Sequence, residues 1–82
     1  MRIDKFLNSV NITKRRSIAQ DMISNKVVLI NGVVAKASKN VEVGSIISIN
    51  FLESTKMYEV LKIPTTKSTP KSLQGEYVKE LS

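Results

Sequence analysis

The sequence predicts an α+β fold in which an N-terminal two-helix hairpin packs on a small antiparallel sheet of about four strands. Three observations lead there. Apolar residues recur at helical spacing through the first 23 positions, β-branched runs take over from Val27, and Asn31-Gly32 separates two of those runs with a two-residue hairpin signal.

Ile3, Phe6, Leu7 and Val10 stand at i, i+3, i+4 and i+7, which gives a helix one apolar stripe from about residue 3 to 10. Asn11 suits the exit from that helix. Ile18, Ala19, Met22 and Ile23 form a comparable stripe, with Thr13 as the expected N-cap. Both helices are too short to persist alone in water, so both need a sheet behind them, and both stripes are expected in the core.

Val28-Leu29-Ile30 and Val33-Val34-Ala35 flank Asn31-Gly32, whose two positions must take positive φ in a tight hairpin. Val43-Gly44-Ser45 reads as a turn into Ile46 to Phe51, where Ile47, Ile49 and Phe51 alternate with Ser48 and Asn50. Glu53 to Lys56 then turns the chain into a strand from Met57 to Ile63, with Tyr58 and Val60 on one face. The first 63 residues thus form the domain. Residues 64–82 are expected as a polar linker, Pro64 to Gly75, and a tail in which Tyr77, Val78 and Leu81 make one short helical turn.

Composition narrows the chemistry. The 82 residues include neither cysteine nor histidine, which removes disulfides, thiolate chemistry, and the commonest metal ligand and general base. No catalytic residue, metal ligand or cofactor is assigned, and the chain is not expected to be an enzyme. The longest apolar run, Val27 to Ile30, falls far short of the roughly 20 residues of a membrane span. Nor does Met1 to Lys5 open a secretory signal, so the expected location is cytoplasmic, with no membrane partner.

The net charge is +6, and all of it lies in residues 1–39, which carry eight basic and two acidic side chains. Residues 40–82 hold five of each. At the start of the second helix Lys14, Arg15 and Arg16 oppose the helix dipole, which favours anions there. A polyanion outside the helix resolves the conflict, and RNA is the simplest one.

Five segments in order carry a family resemblance: Arg2-Ile3-Asp4-Lys5-Phe6-Leu7, Lys14-Arg15-Arg16, Val28-x-Ile30-Asn31-Gly32, Ala35-Lys36-Ala37-Ser38 and Val43-Gly44. Together they resemble the S-four RNA-binding domain, or alpha-L motif, over residues 1 to about 52. Within that family the chain is most similar to the small stand-alone members, the heat-shock RNA-binding protein and the P factor of bacterial ribosome quality control. The resemblance implies docking on structured large-subunit ribosomal RNA with peptidyl-tRNA, as a monomer associated with the ribosome, and a tailing factor on stalled subunits as a further partner. The alternative it leaves is a general structured-RNA or tRNA-binding module acting in trans with an RNA-modifying enzyme. Ser45 stands where the family usually carries an acidic residue.

The expected RNA-binding residues are Arg2, Lys5, Lys14, Arg15, Arg16, Lys36 and Lys39. Arg15 and Arg16 lead, because guanidinium forks match phosphate oxygens and the helix start offers free amides. Lys14 reads equally as a diffuse phosphate contact or a solvated helix end, and Lys36 and Lys39 equally as phosphate contacts or a solvated loop. Asp4 is expected as support that holds a neighbouring arginine, and Asn31 and Gly32 as turn chemistry. Phe6 and Phe51 are expected in the core, leaving Tyr58 and Tyr77 for stacking, so recognition by shape and phosphate is favoured over base reading.

Overall fold

The stripe of the first helix is wholly consumed by the core. In a computed structural model, which describes residues 1–65 and 71–81, helix α1 runs Ile3–Ser9, and Ile3, Phe6, Leu7 and Val10 have no exposed surface. Asn11 leaves the helix with φ 64°, and the amides of Ile12 and Thr13 both donate to the Leu7 carbonyl. The α1–α2 connection is thereby stitched to the end of α1.

Helix α2 runs Arg16–Ser24. Thr13 is not its N-cap: Arg15 occupies that position in extended conformation, and the Thr13 hydroxyl donates to the Arg15 carbonyl at 3.1 Å. Thr13 therefore fixes the residue that begins the helix rather than its free amides. The far end is a Schellman motif, with the Lys26 amide on Ile23 O and the Val27 amide on Met22 O, and Lys26 at φ 61°. Ala19 and Ile23 are buried as expected, whereas Ile18 is 42% exposed, because α2 lies over α1 with one narrow side only.

The strands are β1 (Val28–Ile30), β2 (Val33–Val34), β3 (Ile46–Asn50), β4 (Thr55–Val60) and β5 (Val78–Glu80), in the order β2-β1-β3-β4-β5, all antiparallel. Asn31 and Gly32 take φ of 52° and 82°, the pair of positive values their hairpin requires. Val28, Ile30, Ile47, Ile49, Val60 and Val78 close the core against the helices. The Ser45 hydroxyl accepts the Glu42 amide at 3.2 Å, so this side chain closes the turn before β3 in place of a carboxylate.

Two readings of the C-terminal half change. Phe51 falls beyond β3 and is 46% exposed, because the chain has already turned, with the Phe51 amide on Ser54 O. The sheet also has a fifth strand: the one-turn helix α3 (Gln74–Tyr77) stops at Val78, whose side chain is buried opposite Val60. The expected Pro64 to Gly75 linker falls partly on residues 66–70, outside the described residues.

Candidate nucleic-acid interface

The start of α1 is clasped from the side by the segment before β3. The Ile3 amide donates to Lys39 O and the Val41 amide to Met1 O, both at 2.8 Å, and Arg2 bridges Asn40. This brings Arg2 beside residues 36–41, although the two are far apart in sequence.

Asp4 lies in the first turn of α1, with no exposed surface, and organises the basic face around itself. Its Oδ1 accepts the Lys5 amide at 2.9 Å and lies 3.5 Å from Arg2 Nε. Its Oδ2 accepts from Arg16 Nε and Gln20 Nε2, each at 3.2 Å. Arg2 Nε also reaches the Ala37 carbonyl at 3.2 Å. Both guanidinium groups are thus gripped at their root, while their side chains stay 51% and 44% exposed.

Burial alone would raise the Asp4 carboxyl. The hydrogen bonds from Gln20, Arg16 and the Lys5 amide outweigh it and hold the group below its ordinary value. The carboxylate therefore stays charged and absorbs part of the positive charge of two arginines without reaching the surface.

Lys5, Lys14 and Arg15 are exposed around this centre. The Arg15 backbone is fixed, since its carbonyl accepts the amides of Ile18 and Ala19 as well as the Thr13 hydroxyl. No acidic residue occupies the first turn of α2, and the amides of Arg16 and Ser17 precede its first intrahelical bond. Cations and free donors thus share one helix start.

Lys36 and Lys39 are exposed on the other side of Arg2 and border a separate concavity next to the β1–β2 hairpin. Asn31 is engaged in the fold: its amide donates to Ile46 O at 2.8 Å and its Oδ1 accepts the Ile46 amide at 2.9 Å. Gln20 is the site residue that sequence reasoning missed. It stands four positions after Arg16, so both reach one side of α2, and that spacing was available to find it. Among the described residues no group of three or more acidic, His or Cys side chains could hold a metal ion, and no helix is long and apolar enough to cross a membrane.

The family model of the S4 domain matches residues 1–47, which include the whole Asp4 centre and both arginines. The chain is 48% identical over 78 residues to the RQC P-site tRNA stabilizing factor of Helicobacter pylori (strain J99), covering 95% of this chain and 93% of that one. It is 33% identical over 66 residues to the Bacillus subtilis factor of the same name, covering 80% and 77%. Among solved structures, the trimeric structure of Vibrio cholerae Heat Shock Protein 15 superimposes with a TM-score of 0.88 at 29% identity, over all of this chain and 82% of that one. The solution structure of the hypothetical protein HP1423 gives 0.86 at 43% identity, over all of this chain and 98% of that one.

Proposed function

The chain belongs to the S4 domain family, alongside the RQC P-site tRNA stabilizing factors, and we propose that it docks on large-subunit ribosomal RNA and P-site tRNA in ribosome-associated quality control. The observation that carries this reading is the buried Asp4 carboxylate gripping Arg2 and Arg16 by Nε, beside exposed Lys5, Lys14 and Arg15. Two rooted guanidinium forks with loose cations around them suit an irregular phosphate surface better than a small ligand. Arg15 and Arg16 bind phosphates at the start of α2, Arg2 and Lys5 extend the contact along α1, and Lys36 and Lys39 continue it past the clasped loop. The protein works by binding rather than by catalysis, as a monomer on the ribosome in the cytoplasm. A tailing factor on the stalled subunit is its further partner.

Salt tests the mechanism. If about six phosphates are neutralised, affinity for a structured ribosomal RNA fragment falls about a thousandfold between 50 and 200 mM salt. A binding curve that stays flat over that range would rule out the phosphate-led reading.

A further inference from the structure

The concavity beside the β1–β2 hairpin is not used by the arginine face, yet it is built unlike an ordinary solvated loop. Lys36, Lys39 and Glu42 border it, with Asn31, Val33 and Val34 along the hairpin side. Val33 is 70% exposed on the outermost strand, where proteins usually place a charge or a cover. The backbone adds a second feature. The Ala35 amide bonds Val28 O, so by the alternation of an antiparallel ladder the N–H and C=O of Val34 point away from β1. Among the described residues β2 pairs with β1 alone.

An apolar surface next to one backbone donor and one backbone acceptor fits a nucleobase, whose flat face is apolar and whose edge pairs donors with acceptors. Two lysines at the border suit its phosphate. Glu42 would repel that phosphate, but a carboxylate accepts from an exocyclic amino group, as on cytosine. An added β-strand fits less well, because β2 turns only one residue outward. The Lys39 carbonyl accepts the Ile3 amide, so the segment that borders the concavity is joined directly to the start of α1, which carries Asp4.

We propose that this concavity receives one unpaired nucleotide of the bound RNA, its base against Val33 and the Val34 backbone, its phosphate at Lys36 and Lys39. The proposal rests on the reading of the arginine face as an RNA interface. Two RNA hairpins of identical stem, one with a single bulged cytidine and one fully paired, separate the claims when each is titrated with the full chain at one salt concentration. The bulged hairpin binds about tenfold tighter. Val33→Asn, a change at an exposed position, removes that preference and leaves binding of the paired hairpin unchanged; Lys36→Gln weakens the preference as a second check. Equal binding of the two hairpins, or a preference that survives both substitutions, overturns the nucleotide site while the interface stands. Binding of neither hairpin overturns both.

Discussion

Asp4 does what a buried carboxylate must do to remain charged: three donors converge on it, and a fourth, from Arg2, lies at 3.5 Å. Removing it leaves two cations without their anchor. We expect Asp4→Ala to lower the unfolding free energy by about 2 kcal/mol, a moderate figure because both arginines are half exposed, as read by urea denaturation. Acid provides an independent check. Folding holds the Asp4 carboxyl below its ordinary 3.8, so the stabilisation is complete above that pH and is lost as pH falls through the lowered folded value. An acid titration followed by circular dichroism should show that loss in the wild type, and Asp4→Asn should lack it. Asp4 as an arginine anchor could be read from its place in Arg2-Ile3-Asp4-Lys5. The spacing puts Arg16 and Gln20 on one side of α2, but nothing in the sequence pairs that side with Asp4, because only the packing of α2 on α1 brings them together.

The secondary-structure elements divide by what specifies them. The stripe of α1 and the Asn31-Gly32 hairpin are local patterns, and the structure keeps both. The readings that change are those where a specific hydrogen bond or strand pairing overrides the residue pattern. Phe51 fits the alternation of β3, but the turn at Ser54 ends the strand first. Val78 opens a strand of three residues, too short for any period to be visible, and it exists because the edge of β4 is there to pair with. Thr13 resembles a cap by type and position, yet its hydroxyl goes to a carbonyl. At the other end of α2, Lys26 holds a left-handed conformation that glycine adopts without steric cost. Lys26→Gly should therefore stabilise the protein by about 0.5 kcal/mol in thermal or urea unfolding, after the entropy cost of glycine is set against the relieved strain. A loss of stability would mean that the Lys26 charge near the helix C-terminus matters more than its backbone.

For the whole molecule, charge and fold are arranged to different ends. The excess positive charge lies in residues 1–39, which carry the helical hairpin and the clasped loop, while the neutral second half supplies three of the five strands. The sheet positions the hairpin, which carries the proposed docking face. The face that results tolerates its own repulsion because Asp4 is spent inside it, and the remaining charge seeks a polyanion. Sedimentation of the protein with large ribosomal subunits that carry peptidyl-tRNA tests this most directly, with wild type beside the Arg15→Ala, Arg16→Ala double variant and circular dichroism confirming that the variant is folded. The account predicts that wild type travels with the subunits and the folded double variant stays at the top of the gradient. A double variant that sediments like wild type, or a wild type that is not retained at all, would contradict it.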